Sequence, residues 1–258
     1  MGVVVITGAS MGIGRALALA WAKEKGTTLV LSARGREALD SVARDVEAAG
    51  GRAVAVPGDV TDEAHRVALL EEAAARGGVS VLVNNAGRGF YSPVAKIDLE
   101  EMRRLFELNV LAPLRLVQLA TTQLEATKGT IVMMSSVAGV VAAPRYAAYA
   151  ATKFALEAIA MTMRSELAAA GIRVVVVRPG PVDTPFRANA TRAPGETGYD
   201  APDPDAQPAE AVARLTVRAV KRGTPVVETS NFVRAASLGV RVAPPILRRV
   251  LARMARER

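Results

Sequence analysis

Near its start the chain reads Val3-Val4-Val5-Ile6-Thr7-Gly8-Ala9-Ser10-Met11-Gly12-Ile13-Gly14, a short apolar run followed by a glycine-rich turn. Glycines at such a turn permit close approach of the backbone to a pyrophosphate, and the helix that follows offers its N-terminal amides to the anion. The spacing is Gly-x3-Gly-x-Gly, which differs from the Gly-x-Gly-x2-Gly of the commonest dinucleotide fingerprint. The stretch therefore predicts a strand-turn-helix unit with a dinucleotide site, and a turn without ligand stays open as an alternative.

Beyond this stretch, short apolar runs alternate with longer periodic segments along most of the chain, which is the pattern of a parallel sheet covered by helices. We predict one domain over residues 1–258, with an α/β fold and a doubly wound, seven-stranded parallel sheet of the Rossmann type. The predicted strands lie near 3–6, 28–32, 53–56, 80–83, 130–134, 173–177 and 225–227. The predicted helices lie near 12–25, 36–49, 62–76, 99–126, 147–170, 208–222 and 244–257.

Residues 185–208 interrupt this rhythm, because they contain five prolines and two glycines. Proline and glycine at this density predict a loop without regular structure. A loop of this length inside a compact domain is usually functional or disordered. We expect a lid over the substrate, and a mobile excursion without a role is the alternative.

The composition restricts the available chemistry. The 258 residues include no cysteine and one histidine, so disulfides, thiolate catalysis, sulfur zinc sites and histidine clusters are excluded. His65 follows Thr61-Asp62-Glu63 at the start of a predicted helix, where we expect an exposed residue rather than a catalytic one. Acid–base chemistry must then use tyrosine, lysine, aspartate or glutamate.

The formal net charge of +8 is concentrated at the C-terminal end, where residues 214–258 contain eleven basic and two acidic side chains. Only one aromatic residue, Phe232, accompanies these charges, so base stacking is hardly available and no nucleic-acid partner is expected. The longest uncharged stretch, 129–144, is too short to span a bilayer. The first residues lack the charged region of a signal peptide, and we expect a cytoplasmic protein.

Farther along the chain stands Tyr149-Ala150-Ala151-Thr152-Lys153. Residues four apart share one face of a helix, so the phenol and the ammonium are expected to be neighbours. A nearby cation lowers the pKa of a phenol and makes it usable as an acid or base near neutral pH. The spacing alone is weak, because such pairs also occur on ordinary helix surfaces.

Taken together, seven elements resemble the short-chain dehydrogenase/reductase family, in family order and at family spacing. The resemblance covers residues 3 to about 185 and implies a sheet order of 3-2-1-4-5-6-7. The elements are Thr7-Gly8-x3-Gly12-Ile13-Gly14, Asp59-Val60, Asn84-Asn85-Ala86-Gly87, Asn109, Ser135-Ser136, Tyr149-x3-Lys153 and Pro179-Gly180.

The resemblance implies four catalytic residues. Tyr149 would act as general acid or base on the substrate oxygen, and Lys153 would lower its pKa and bind the nicotinamide ribose. Ser136 would hydrogen-bond the substrate oxygen, while Ser135 would be structural. Asn109 would hold a water that links Lys153 to solvent. The alternatives are that Ser136 is a turn residue, that Asn109 only satisfies a helix kink, and that Asn84 and Asn85 are backbone caps.

The resemblance also implies the cofactor site. Asp59 would bind the adenine amino group with Val60 packed on the ring, and Val182 would meet the carboxamide through its backbone. The further cofactor-binding residues would be Gly8, Ser10, Met11, Gly12, Ile13, Gly14, Asn85, Ala86, Gly87, Pro179, Gly180 and Thr184, together with Tyr149 and Lys153.

The end of the second strand bears on the choice of nicotinamide. An enzyme that prefers NAD normally places an acidic residue there. This chain has no acid in Leu29-Val30-Leu31-Ser32-Ala33 and continues with Arg34, whose guanidinium suits a 2′-phosphate. We therefore predict NADP(H) as cofactor, although Met11 stands where many NADP-preferring relatives carry a second basic residue.

The tail over residues 244–258 reads as a basic amphipathic helix, with apolar residues at 246, 247, 250, 251 and 254. It is expected to pack on its own domain or on a partner subunit, or else to lie on an anionic membrane surface and bring the enzyme to lipid-soluble carbonyl substrates.

The leading hypothesis is an oxidoreductase that moves a hydride between NADP(H) and a small-molecule carbonyl or secondary alcohol. The alternative is a nucleotide-binding sensor or scaffold with little turnover. The resemblance implies a homo-oligomer, a dimer or tetramer assembled through the helices near 99–126 and 147–170. The side chains expected near the substrate are Phe90, Tyr91, Arg145, Tyr146 and Phe186.

Overall fold

The computed structural model describes residues 2–196 and 205–256. Its centre is a seven-stranded sheet in which all neighbouring strands run parallel, which confirms the predicted fold class. The strands are β1 (Val3–Thr7), β2 (Thr28–Ala33), β3 (Arg52–Pro57), β4 (Val79–Asn84), β6 (Thr130–Met134), β7 (Arg173–Arg178) and β11 (Val226–Glu228). Their order across the sheet is β3-β2-β1-β4-β6-β7-β11, as the resemblance implied.

Helices cover both faces of this sheet. They are α1 (Gly12–Ala22), α2 (Arg36–Ala48), α3 (Glu63–Ala74), α4 (Leu99–Phe106), α5 (Ala112–Thr127), α6 (Ala147–Glu166), α7 (Ala209–Arg222), α8 (Asn231–Val242) and α9 (Pro244–Arg256). Helices α1, α2 and α7 pack on one face and α3, α5 and α6 on the other. Within the described residues, no helix is long and apolar enough to cross a membrane.

The strand sequences explain the two cores. Alternate residues of a strand point to opposite faces of a sheet. In β1, Val4 and Ile6 belong to the core under α1, α2 and α7, whereas Val3 and Val5 belong to the core under α3, α5 and α6. An unbroken Val/Ile run is therefore what a strand buried on both faces requires.

The predicted helix over 99–126 is divided in the structure. A π-helical turn, Glu107–Leu111, separates α4 from α5. Such single turns insert one residue into an α-helix and often mark functional sites. The turn carries Asn109 into the interior, where its side chain is fully buried.

The loop predicted over 185–208 is not wholly irregular, so that part of the prediction was wrong. β9 (Thr191–Arg192) pairs with β5 (Phe90–Tyr91), and β10 (Gln207–Pro208) pairs with β8 (Val182–Asp183). Proline does not prevent the second pairing because Pro208 occupies the end of its strand. Gly198, Pro202 and Pro204 of the predicted loop lie outside the described residues.

Two further sequence expectations need correction. No helix was predicted over 231–242, yet α8 forms there, with the Ser230 hydroxyl accepting a hydrogen bond from the backbone amide of Val233. His65 was expected to be exposed but is buried, and its Nε2 lies 2.8 Å from Ser32 Oγ. Burial lowers the pKa of His65, because the charged imidazolium would lose its hydration.

Candidate active site

The glycine-rich turn after β1 is held against the end of β4 by Thr7 and Asn85. Thr7 Oγ1 accepts hydrogen bonds from the backbone amides of Asn85 (3.1 Å) and Ala86 (3.0 Å). Asn85 Nδ2 donates to the carbonyl oxygens of Thr7 (2.9 Å) and Gly8 (3.2 Å). The Asn85 side chain therefore shapes the turn, which is the backbone-cap role left open by the sequence.

Glycine is required in this turn for two reasons. Gly8 and Gly12 have φ angles of +65° and +51°, in the left-handed region that other residues rarely adopt. A Cβ atom on Gly8 would also lie 2.9 Å from Ala86 Cα. The turn is thus tightly packed against Ala86, at the carboxyl edge of the sheet.

Helix α1 begins directly after this turn, and its first amides are not capped. Met11 occupies the N-cap position in an extended conformation and makes no side-chain cap hydrogen bond. The uncapped amides and the helix dipole together make this helix start suitable for an anion.

The loop after β7 closes over the same turn. A Cβ on Gly12 would meet Thr184 Cγ2 at 3.1 Å, so the structure brings Thr184 against the glycine-rich turn. The backbone amide of Val137 donates to Pro179 O at 2.8 Å, which ties this loop to the segment that carries Ser136. Asn189 Nδ2 also reaches Met11 Sδ at 3.5 Å, so the start of the predicted lid covers this edge.

Three predicted catalytic side chains meet beside these loops. Tyr149 and Lys153 lie one turn apart on α6, and both are buried. The Ser136 hydroxyl, two residues after the end of β6, hydrogen-bonds the hydroxyl of Tyr149. Lys153 Nζ donates to the carbonyl oxygen of Met134 at 2.8 Å.

The protonation of this cluster differs from the sequence expectation. Burial raises the pKa of Tyr149 to about 12, although the hydrogen bond from Ser136 acts in the opposite direction. Burial also lowers the pKa of Lys153 to about 8, against the attraction of Glu157. The expected lowering of the Tyr149 pKa by Lys153 is not found here, because desolvation of the phenolate dominates and the lysine amine turns toward Met134.

Asn109 joins the cluster from the π-helical turn. Its Nδ2 donates to the backbone oxygen of Arg88 (3.0 Å) and to Thr152 Oγ1 (3.1 Å), and its Oδ1 accepts from the Arg88 amide (2.9 Å). Thr152 in turn donates to the Tyr149 carbonyl at 2.7 Å. Thr152 was missed in the sequence, although its place inside the Tyr-x3-Lys segment was a usable signal.

A second missed residue anchors the helix that carries Tyr149. Arg178, at the end of β7, binds Glu157 of α6 at 2.8 Å and Glu228 of β11 at 3.2 Å. These groups are largely buried, and Glu157 is also the carboxylate that favours a charged Lys153. The network therefore positions α6 and influences the lysine.

The aromatic residues expected near the substrate lie in different clusters. One cluster contains Tyr146 and Phe186 beside Tyr149, and another contains Phe90. The Phe186 ring lies 5.7 Å from the Tyr149 ring, and Tyr146 packs in the same cluster. Tyr91 is buried against Tyr146, with the rings 5.4 Å apart. Phe90 is buried in a core cluster with residues of α4 and α6.

Arg145 helps to hold the predicted lid. It has a φ of +69°, and its guanidinium pairs with Glu196, which also binds Lys96 at 3.3 Å. The Glu196 side chain is buried by these contacts. This ion-pair cluster joins the segment before α6 to Glu196 of the predicted lid.

Arg34 and Asp59, which the sequence assigns to the adenosine end of a cofactor site, lie near each other. Arg34 is exposed at the end of β2, and no carboxylate replaces it on that strand. Partial burial opposes ionisation of Asp59, but hydrogen bonds from Thr61 and the charge of Arg34 hold its pKa below the usual value. Val60, the residue expected to pack on adenine, is buried next to it.

The sheet, the glycine-rich turn and the buried cluster at its carboxyl edge define a nucleotide-binding protein with a doubly wound parallel sheet. The model of the family described as "short chain dehydrogenase" matches residues 2–195 of the chain. The chain belongs to the short-chain dehydrogenase/reductase family of oxidoreductases.

Known proteins of this family resemble the chain over most of its length. It is 35% identical over 225 residues to the ketoacyl reductase HetN of a Nostoc species, covering 86% of this chain and 76% of the relative. A short-chain dehydrogenase from Sphingobium yanoikuyae in complex with NADPH has a TM-score of 0.82 at 27% identity, covering 96% and 95% of the two chains. A family member from Burkholderia phymatum in complex with NAD has a TM-score of 0.81 at 26% identity, covering 92% of each chain.

Proposed function

We propose that the protein is an NADP(H)-dependent oxidoreductase that interconverts a carbonyl compound and a secondary alcohol, with Tyr149 as the general acid or base. The observation that carries this proposal is the hydrogen bond between the Ser136 and Tyr149 hydroxyls in a buried cluster with Lys153. Two hydroxyls that meet in this way can bind one substrate oxygen from two directions.

The residues present fit a dinucleotide. Ala86 packs against one side of the glycine-rich turn, and the opposite side of the turn would hold the ligand. The backbone amides at the start of α1 have no side-chain cap. Negative phosphates are the groups that such a helix start attracts. A bound nicotinamide would supply or accept the hydride.

Arg34 supports NADP(H) as the form that is used. Its guanidinium is exposed at the end of β2, where an NAD site would place a carboxylate against the ribose hydroxyls. A guanidinium forms charge-assisted hydrogen bonds with a phosphate. The related structures contain either NADPH or NAD, so the preference rests on Arg34.

In the reducing direction, Tyr149 would donate its hydroxyl proton to the carbonyl oxygen while the carbonyl carbon receives the hydride. Burial keeps the phenol protonated at neutral pH, which is the state that this donation requires. Ser136 would hydrogen-bond the same oxygen and stabilise its developing negative charge. In the oxidising direction the proton would return from the alcohol to the tyrosinate.

Asn109 would support proton supply to this site. Its side chain makes three hydrogen bonds within the protein, to Arg88 and Thr152. Because these bonds occupy the side chain, a water of the proton relay would have to bind a backbone carbonyl oxygen instead. The inserted residue of a π-helical turn leaves a carbonyl oxygen without its α-helical partner. We infer that this turn holds the water and that the Asn109 side chain fixes the turn.

The substrate is inferred to be an apolar carbonyl compound or the matching alcohol. Phe186 and Tyr146 pack around Tyr149 and provide an apolar, aromatic wall. The relative from Nostoc is named a ketoacyl reductase, which is consistent with a ketone as the reacting group.

Comparison of the wild-type protein with Tyr149→Phe tests this function. Both proteins are titrated with NADPH and with NADH by fluorescence, and both are assayed for NADPH oxidation against a panel of ketones. The substitution keeps the ring and removes the proton, so we expect unchanged cofactor binding and a loss of turnover of about 100- to 10,000-fold. Cofactor binding without any turnover by the wild-type protein would favour the sensor or scaffold alternative.

A further inference from the structure

Helices α8 and α9 present apolar side chains that nothing in the described structure covers. Five large apolar residues on these two helices are at least half exposed: Phe232, Leu238, Val242, Ile246 and Val250. Isolated exposed apolar residues are ordinary, but five on two consecutive helices form a surface that calls for a partner.

The apolar stripe predicted for α9 is divided between two environments. Leu247 and Leu251 are partly covered, whereas Ile246 and Val250 are exposed. Helix α9 follows α8 directly and contacts it. Part of the predicted stripe therefore stays exposed in the described structure.

A basic groove lies along the same end of the molecule, between α7, β11 and α8. Its volume is about 590 Å³, and its lining includes Arg178, Arg218, Arg222, Arg234 and Arg241. Arg178 is bound to two carboxylates. Within residues 2–196 and 205–256, the other four arginines form no ion pair with a carboxylate.

The groove and the apolar surface are continuous through α8. Arg234 and Arg241 are seven residues apart, so they share one side of the helix and line the groove. Leu238 and Val242 are four residues apart and lie on the neighbouring exposed side. Helix α8 thus presents cations and apolar side chains along adjacent stripes.

We propose that α8 and α9, together with the arginines of the groove, dock on an anionic membrane surface. Lipid phosphates would neutralise the unpaired arginines, and the exposed apolar side chains would enter the interface between headgroups and acyl chains. Both features are then satisfied by one occupant.

A second copy of the chain fits this surface less well. A twofold contact would bring together two patches of the same positive charge and would offer these arginines no additional carboxylates. A nucleic acid would satisfy the charges but would leave the apolar side chains exposed. The combination of charged and apolar side chains therefore favours a membrane as the occupant of this surface.

The docking surface adjoins the loop that carries Pro179 and Gly180, which we assign to the cofactor site beside the substrate. A Cβ on Gly180, in the loop after β7, would lie 3.5 Å from the Phe232 ring and 3.1 Å from Val233. We infer that the docked enzyme takes lipid-soluble carbonyl substrates from the bilayer, and this second part rests on the proposed function. Delivery of substrate from the bilayer is measured by turnover, whereas docking is measured by vesicle binding alone.

Docking is tested by co-sedimentation of the full chain with vesicles of phosphatidylcholine alone or mixed with phosphatidylglycerol. We expect binding to the mixed vesicles that weakens as salt is added, because salt screens the attraction. Arg234→Gln/Arg241→Gln should weaken binding about 25-fold, at about fivefold for each arginine. The matched control is Arg44→Gln/Arg52→Gln, which removes two exposed charges elsewhere and should bind like the wild type.

A second variant, Leu238→Ser/Val242→Ser, tests the apolar contribution. It keeps the charges and should reduce binding to the mixed vesicles by more than tenfold. The proposal is overturned if the wild-type protein does not bind mixed vesicles or if both surface variants bind as well as the control. A change of oligomeric state in these variants, without an effect on vesicle binding, would identify a second copy as the occupant instead.

The substrate part has its own measurement. Turnover of a long-chain ketone carried in mixed vesicles should fall in Arg234→Gln/Arg241→Gln, while turnover of a short soluble ketone stays as in the wild type. Equal loss on both ketones would contradict delivery from the membrane even where docking is observed.

Discussion

The amine of Lys153 lies 5.7 Å from the centre of the Tyr149 ring and donates its hydrogen bond to the carbonyl oxygen of Met134. The two groups share one face of α6, as their spacing predicts, but burial determines their protonation. The phenol is held in its neutral form, and the pKa of the lysine is lowered to about 8. The free protein therefore resists forming either charge in this cluster.

Lys153 should make the stability of the protein depend on pH. Its pKa is about 8 in the folded chain against an ordinary value of 10.5, so the unfolded chain holds more protons between these values and stability rises with pH there. We expect the free energy of unfolding of the wild type to gain on the order of 3 kcal/mol relative to Lys153→Met across this range. Urea denaturation of both proteins at several pH values measures the difference.

The control for this prediction is Lys128→Met, an exposed lysine whose amine donates to Ala170 O at 3.1 Å. The difference in the free energy of unfolding between Lys128→Met and the wild type should stay nearly constant over the same pH range. A constant difference for Lys153→Met as well would show that the buried amine titrates normally.

The paired serines after β6 provide a matched test of the hydroxyl beside Tyr149. Ser136→Ala removes the hydrogen bond to Tyr149, and turnover should fall about 100- to 1,000-fold, as for the loss of an oxyanion donor. Ser135→Ala is the control, because the Ser135 hydroxyl is buried and has no hydrogen-bond partner among the described residues. We expect its kcat to stay within about twofold of the wild type.

Ser136 also accepts a hydrogen bond from the Ala138 amide at 3.1 Å, so Ser136→Ala changes local structure as well. Ser136→Thr keeps a hydroxyl and should recover most of the turnover. Equal activity of the Ala and Thr variants would assign Ser136 to turn geometry rather than to catalysis.

Arg34 should decide between the two nicotinamide cofactors. Arg34→Glu replaces the cation with a carboxylate, which repels a 2′-phosphate and suits ribose hydroxyls. We expect the Kd for NADPH to rise about 10- to 100-fold, since hydrogen bonds to charged groups contribute about 1.5–3 kcal/mol. The Kd for NADH should fall, and fluorescence titration measures both.

Arg36→Glu, at the first position of α2, carries the same change of charge two residues away. It controls for long-range electrostatics and should leave the ratio of the two Kd values nearly unchanged. If both variants shift this ratio equally, Arg34 makes no specific contact with the phosphate.

The strands were predictable because their apolar runs are local and are bounded by glycine turns, and each of the seven begins and ends within two residues of its expected position. The π-helical turn at Asn109 was not predictable, since it depends on how α4 and α5 fit against α6. The burial of His65 likewise depends on Ser32, which is distant in sequence. The raised pKa of Tyr149 is a product of tertiary packing, whereas the sequence shows only its lysine neighbour.

The exposed faces of α4 and α6 should form the contact between subunits. Leu99 and Met161 are both more than 60% exposed, and Phe154 shares the Met161 face of α6 because the two residues are seven apart. We propose a homo-oligomer, with these apolar side chains buried by a second copy. Met161→Glu would place a carboxylate in that contact and should shift the protein toward the monomer in size-exclusion chromatography with light scattering. Val67→Glu changes an exposed apolar residue of α3 in the same way and should leave the assembly intact; a monomeric wild type, or an unchanged mass for Met161→Glu, would contradict this contact.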